Sequence, residues 1–534
     1  MKLKFYFYIT VAYIFYLLIS IAPIYGQVKV FDNSLYDFKD LQRKQTWTES
    51  YNAAGLYFID FNKASYLEAY VGDNSGSFVK YYESDESLNF GLRTESYAKV
   101  KKIIYYGKLG YDKFLGNNMT WSGQIYPEKY LLNVADDIPA KKAKESYYIS
   151  SGLSAPITNS LLLGFKFNYE VANLAKRKDL RHKTDLLDVE FSGGLLYKIN
   201  KFNIGANYYY RKFHENVAYS KVAKDEINYN GYLFKGLWFG INDTWSQDVI
   251  KLSRPFLDVQ EGISIQVEGF SKSVRFFNEF TYKRQEGFTG SGADKEYSQS
   301  KVNIFEYKNI LQYGGERNNH YFKLDACYSE GINYDKITNQ VNIGGINVIQ
   351  YYGLNKIFTK REFNINPEYE LSIGKDKYNS LWSFTLGYYY NSQYSVSSLV
   401  YPHYFSQKIF SNLGYVKANK RLILQKGVID LSLSYLLSGG YGDKLQHHIS
   451  DSGEKQASED VIPYQNIDML NKEFEYLTAR KNNGGIGVKY SCFLAKIAGS
   501  LYVNANFYYT TTPDVLYHSN NKARSFNLAL GYSF

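Results

Sequence analysis

The chain ends on Ser525-Phe526-Asn527-Leu528-Ala529-Leu530-Gly531-Tyr532-Ser533-Phe534. Phe526, Leu528, Leu530, Tyr532 and Phe534 alternate without a break with Ser525, Asn527, Ala529, Gly531 and Ser533. A period of two gives a strand one apolar face and one small, polar face. A closed barrel in a bilayer must pair its last strand with its first and show lipid an unbroken apolar row. The stretch meets both demands and predicts an all-β chain folded as a transmembrane antiparallel β-barrel.

The same period recurs upstream. Trp382, Phe384, Leu386, Tyr388 and Tyr390 alternate with Ser383, Thr385, Gly387 and Tyr389. Leu161, Leu163, Phe165, Phe167 and Tyr169 alternate with Gly164, Lys166, Asn168 and Glu170. Phe202, Ile204, Ala206 and Tyr208, then Ile429, Leu431, Leu433 and Tyr435, then Leu501, Val503, Ala505 and Phe507 repeat the pattern. A charge facing lipid at mid-membrane costs about 2–4 kcal/mol. Lys166 and Asp430 fall on the opposite parity, where a wet interior receives them.

Short polar connections are expected near 99–102, 156–160, 198–201, 270–274, 314–319, 374–380, 416–420 and 493–496. Longer ones are expected near 72–88, 113–145, 170–184, 212–260, 284–300, 330–360, 391–404, 438–482 and 510–522. Bacterial barrels carry short periplasmic turns and long extracellular loops. Eight turns and nine loops imply 18 strands, with 16 or 14 if strands beside an uncertain loop merge. Within 438–482, Ile467, Leu470, Phe474 and Leu477 have helical spacing. A short amphipathic helix there either constricts the channel mouth or decorates the surface, the plainer expectation.

Lys2, Lys4, the apolar run Phe5–Ile24 and the small Gly26 read as a secretory signal peptide over 1–26. An uncleaved helical anchor is the alternative. Residues 27–62 lack alternation and are expected to form a periplasmic tail or a plug folded into the lumen, followed by the barrel over 63–534. Hydrophobic residues make up 45% of the chain, yet mean hydropathy is −0.39. No second apolar run is long enough for a helical span. The 56 Tyr and 35 Phe suit bilayer interfaces. A Tyr-rich soluble sandwich or solenoid would show a repeat period, and none is visible. The net charge of +10, without an aromatic-basic module, does not indicate nucleic acid.

Tyr532-Ser533-Phe534, closing the alternating row, resembles the outer-membrane signal read by the barrel assembly machinery. That resemblance implies that Phe526, Leu528, Leu530, Tyr532 and Phe534 form the assembly signal. Trp47-Thr48-Glu49-Ser50-Tyr51-Asn52-Ala53-Ala54-Gly55-Leu56 resembles the Asn-Pro/Ala-Ala-Gly-Leu element near the start of FadL-like barrels, with Ala53 where Pro is common. In those transporters the region belongs to a plug that gates hydrophobic substrates, which marks Asn52, Ala53, Ala54, Gly55 and Leu56 as a candidate plug element. The whole chain is similar to an uncharacterised Bacteroidetes-type outer-membrane barrel family. The implied partners are outer-membrane lipid and lipopolysaccharide, the assembly machinery during insertion, and a periplasmic or surface protein.

Catalytic motifs are missing from the sequence. Its seven His form no His-Glu-x-x-His, and neither Gly-x-Ser-x-Gly nor a phosphate-cradling loop occurs. No catalytic, cofactor-binding or metal residue is assigned, and no cofactor is expected. Adjacent His447 and His448 read as a solvated loop pair ahead of a metal site. By parity Cys327 faces inward and Cys492 faces lipid, so both are expected as free thiols. Asp73-Asn74-Ser75-Gly76 reads as a tight polar turn, not a calcium loop. Lys176, Arg177, Lys178, Arg181, His182 and Lys183 read as an external basic loop, partly neutralised by Asp179 and Asp185. The function expected is a passive channel or transporter. The alternatives are a non-conducting barrel that anchors a partner complex and, third, an outer-membrane hydrolase.

Overall fold

The computed structural model describes residues 37–222, 228–244, 254–290, 296–315, 317–344, 346–374, 380–400, 403–425, 427–449, 464–494, 499–513 and 515–534. The expected signal peptide 1–26 lies outside them. Helix α1 (Phe38–Arg43) and a 3-10 turn (Ala53–Phe58) come first. The strands follow as β1 (Lys63–Gly76), β2 (Glu86–Val100), β3 (Ile103–Met119), β4 (Asn133–Asp136), β5 (Ala140–Pro156), β6 (Leu161–Lys176), β7 (Arg181–Ile199) and β8 (Phe202–Ser220). Next come β9 (Asn230–Phe234), β10 (Phe239–Thr244), β11 (Arg254–Phe270), β12 (Val274–Gly290), β13 (Glu296–Gly314), β14 (Asn318–Ile343), β15 (Ile346–Gly374) and β16 (Ser380–Val400). The chain finishes with β17 (His403–Leu424), β18 (Gly427–Ile449), β19 (Tyr464–Gln465), helix α2 (Ile467–Thr478), β20 (Lys481–Leu494), β21 (Gly499–Thr511) and β22 (Lys522–Ser533).

Eighteen of these strands form one sheet, each antiparallel to its neighbours in chain order. β22 returns to β1, with Leu530 opposite Ala69 and Tyr532 opposite Leu67. Phe534 locks the seam: its N–H donates to Ser65 O at 3.0 Å and its carbonyl accepts from Ser65 N at 3.1 Å. The sheet therefore has no free edge along its length, as a bilayer requires.

Side-chain direction follows the sequence pattern. Phe384, Leu386 and Leu433 are exposed on the outer wall, the last at 62%, whereas Ser383 and Thr385 are buried inside. Asp430 faces inward and accepts from Arg421 Nε at 2.7 Å. No helix among the described residues is long and apolar enough to cross a membrane; this barrel would cross with strands.

The eight turns sit at one end and the nine loops at the other. One turn departs from expectation: 416–420 lies inside β17, and the chain reverses after Leu424. Several expected loops are strand. Residues 330–360 belong almost wholly to β14 and β15, of 26 and 29 residues. β13 pairs with β14 only as far as Asp335, and β16 reaches β15 only at Phe358. Beyond those points the two strands pair with each other alone, as a ribbon bent by register shifts at Asn333/Tyr334 and Ile337/Thr338. Asp73–Gly76 is the end of β1, not a turn. His447 and His448 lie on β18, not in a loop.

Candidate functional site, a luminal chamber between two closures

Residues 37–62 run inside the ring of strands near its turn end. Asp37 caps α1, its side chain accepting from Lys39 N at 2.8 Å. The helix buries Phe38 and Leu41 against Tyr66, Tyr97 and Ile104 of the wall. Asn52 caps the 3-10 turn by accepting from Ala54 N at 3.0 Å. Its Nδ2 donates to Leu195 O at 3.0 Å, Ala206 O at 3.3 Å and Gln266 Oε1 at 2.9 Å. Asn52 is fully buried.

The wall beneath this turn lacks side chains. Gly164 of β6 lies opposite Gly194 of β7, and Gly205 of β8 lies opposite Leu196. A Cβ on Gly164 would run into the backbone of Ala53 and Ala54, and one on Gly194 would strike Asn52 Oδ1. A Cβ on Gly205 would come within 2.8 Å of Asn52 Nδ2. The glycines let chain lie on chain. Around them, inward-facing Leu162, Leu196, Phe277 and Ile310 pack on Trp47 and Ala54.

Carboxylates of the wall hold the rest. Glu268 accepts from Thr46 Oγ1 at 2.9 Å, Trp47 Nε1 at 2.8 Å and Asn203 Nδ2 at 2.7 Å. Glu279 accepts from Ser50 Oγ at 2.9 Å and Tyr51 N at 3.2 Å. Arg43 Nη2 donates to Glu370 Oε1 at 2.9 Å, and Lys44 Nζ donates to Ser380 Oγ at 2.8 Å. Glu49 accepts from Lys323 Nζ at 2.8 Å. Asp37 pairs with Lys489. Burial pushes the Asp37 carboxyl up, but Lys489, Arg421 and Lys39 outweigh it and hold it well below the usual range. For Glu49 burial also pushes up, and Lys323, Lys308 and Arg43 bring the net shift down.

The opposite closure is built from loops. β4, β9, β10 and β19 form a four-stranded sheet drawn from three different loops. Helix α2 is capped by Asn466, whose side chain accepts from Met469 N at 3.1 Å. Its Leu470 packs with Ala135, Tyr232, Phe234 and Trp238, and Trp238 Nε1 donates to Glu473 Oε2 at 2.7 Å. The helix is therefore part of the cover over the lumen, not a surface ornament. His518 joins the same end, with Nδ1 2.8 Å from Glu475 Oε2.

Between the closures lie two adjoining cavities of about 440 and 540 Å³ that share Glu128, Tyr130, Leu131, Lys360 and Glu362. Tyr51 of the N-terminal segment lines the first, and Trp238 and Glu473 line the second. The first also shows Glu190, Arg211, Asp258, Lys283 and Glu306. A third cavity of about 320 Å³ runs beside α1, between Asp40 and Asn504. Such a lining can hold a hydrated solute bearing charges of either sign.

The candidate plug element Asn52–Leu56 thus meets the glycine bed, while the C-terminal row lies on the outer wall of β22, away from the chamber. Sequence reasoning missed Gly194, Gly205, Glu268 and Glu279. The signal for the two glycines was a small residue at inward parity, and nothing local marked the two glutamates. The basic cluster does not stand as a free patch: Lys176 is buried against Asp136, Arg181 Nε lies 2.9 Å from Asp179 and Lys183 lies 3.1 Å from Asp185. His403 Nδ1 lies 2.9 Å from His447 Nε2, and no cluster of three metal-ligating groups occurs among the described residues. Both cysteines are free. Cys327 lies opposite inward-facing Glu306. Cys492 has outward parity opposite Leu501 but is covered by its neighbours.

A model for a family of unknown function, DUF6850, matches residues 53–534. The chain belongs to that family. The family's match thus begins at Ala53, inside the element that rests on the glycine bed. No curated protein matches the chain. Among solved structures, it is similar to the RagAB peptide importer in its closed-closed state, with 8% identity over 89% of this chain and 87% of that one, at a TM-score of 0.40. It is likewise similar to BauA, the ferric preacinetobactin receptor of Acinetobacter baumannii (9% identity, 89% and 80% coverage, TM-score 0.40). The copper transporter OprC follows, with 8% identity, 89% and 80% coverage and a TM-score of 0.36.

Proposed function

We propose that the protein is a transport barrel of the outer membrane, with its turn end toward the periplasm. In this reading a polar solute enters the chamber at the loop end and passes passively when residues 37–62 shift. The observation that carries the proposal is a charge-lined chamber inside a closed barrel, bounded by two closures of different construction. The turn-side closure is one short chain segment held at discrete points, the kind of part that moves as a unit. The FadL-like variant, a route for hydrophobic substrates, fits poorly, because Glu190, Arg211, Asp258, Lys283 and Glu306 line the space. Single-channel recording in planar bilayers tests the reading. The wild type is expected to open rarely. A variant carrying Arg43→Ala, Asn52→Ala and Trp47→Ala is expected to open often and to a larger conductance. A seal equally tight in both would leave the second reading, a non-conducting barrel that anchors a partner complex, which the double closure also favours.

A further inference from the structure

Among the described residues, the turn end carries an excess of cationic side chains that the chamber does not use. In the described turns Lys101, Lys102, Lys201, Lys272 and Arg317 are exposed, and no Asp or Glu accompanies them. Lys99 and Lys63 add to the same end, and the exposed Asp60 offsets one of them. None of these seven has an ion pair among the described residues. The loop end differs: Glu83, Asp85, Glu128 and Asp137 are mixed there with Lys80, Lys129, Arg177 and Lys178.

The position of these cations is specific. Lys101 follows exposed Val100, Lys201 lies between exposed Ile199 and Phe202, and Lys272 follows exposed Phe270 by two residues. Lys420 Nζ sits 4.6 Å from the Trp382 ring centroid and Lys63 Nζ 4.8 Å from that of Phe534. The ammonium groups therefore stand where the apolar band of the outer wall ends. That is the depth of lipid headgroups, which long basic side chains reach while their stems stay on apolar surface.

We propose that the turn-end rim is a cationic collar that binds the anionic headgroups of phospholipids in the leaflet it meets. The charge excess supplies attraction, and the adjoining apolar rim supplies the acyl-chain contact that a free anion would not use. A basic residue at a membrane surface contributes about 1 kcal/mol toward anionic lipid, or roughly fivefold in occupancy.

Native mass spectrometry of the full chain in detergent, with equal amounts of phosphatidylglycerol and phosphatidylcholine, tests the proposal. The wild type is expected to retain phosphatidylglycerol several-fold over phosphatidylcholine. Lys101→Glu with Lys201→Glu and Lys272→Glu is expected to bring the two to parity, while the loop-end control Lys178→Glu keeps the preference. Should the triple variant fail to fold, the wild type alone decides. Its preference must fall between 0.1 M and 1 M salt, as the screening length drops from about 10 to about 3 Å. No preference in the wild type, a preference untouched by salt or by the triple variant, or one abolished by millimolar inorganic phosphate would overturn the collar.

Discussion

At the scale of the residue, Asn52 concentrates the attachment of the N-terminal segment. Its amide meets two strand carbonyls and Gln266 while its oxygen caps the following turn. Truncating it to Ala strands buried partners, a loss of about 1–3 kcal/mol. Asn52→Ala is expected to raise open probability in bilayer recordings with little change in the heat resistance of the barrel, which rests on the strand ladder. Gly164→Val attacks the same contact from the wall: its side chain would occupy the space of the Ala53–Ala54 backbone. It is expected to cost about 1–3 kcal/mol of segment docking and to open the channel similarly. An unchanged open probability in both variants would show that this contact does not gate. Acid acts on the ties around it. Asp37 and Glu49 have folded pKa values depressed below their ordinary 3.8 and 4.5. Their pairs with Lys489 and Lys323 therefore stabilise docking at pH values above those ordinary ones. That contribution is lost as pH falls through the depressed values. Lowering pH from 7 to 5 is expected to leave gating unchanged, with opening rising only below about pH 4. The sequence marked Asn52–Leu56 by resemblance, but the partners across the lumen were illegible. Glu268 and Glu279 lie more than two hundred residues away, and nothing local sets that spacing.

At the scale of the element, legibility tracked the apolar band of the outer wall. Where a strand crosses an apolar band its outer face must be greasy, and Trp382, Phe384 and Leu386 declare it. Beyond the band neither face has a fixed solvent, so alternation fades. The ends of β14 and β15 therefore read as a loop although they pair from Lys336–Leu354 to Ile343–Ile346. The turn placed at 416–420 failed for a related reason. Lys417 and Lys420 lie within β17, where Lys420 reaches the ring of Trp382 on the outer wall and Lys417 lies opposite inward-facing Thr385, so the two cations sit on opposite faces of a continuing strand and mark no reversal. Helix α2 was legible because Ile467, Leu470 and Phe474 repeat at helical spacing. Its role was not, because the surface it packs on comes from other loops. Leu470 is its buried anchor. Leu470→Ala is expected to cost about 2–5 kcal/mol of local stability. Limited proteolysis should then cut within 464–480 faster than in the wild type while the barrel stays intact. Equal cleavage rates would show that the loop-end sheet holds the helix without that side chain.

At the scale of the whole molecule, the strand count was legible because closure constrains it. An even number with both chain ends on one side follows from hairpin connections closed by an antiparallel seam, and misplacing a turn by several residues does not change it. The same closure sets up a prediction that separates stability from assembly. Phe534 contributes two backbone hydrogen bonds with Ser65 and a ring beneath Lys63. The seam it ends continues through the register from Tyr66–Ser533 to Gly76–Ala523. Deleting Phe534 thus removes about 1–3 kcal/mol from a barrel held by eighteen such seams. Refolding from urea into detergent is expected to give nearly the wild-type yield and midpoint. In cells the terminal aromatic has a second task if the alternating row serves as an assembly signal. The folded, heat-modifiable fraction in membranes should then fall far more than the refolding yield. A parallel fall in both assays would make Phe534 a structural clasp alone, because a recognition residue leaves unassisted folding untouched.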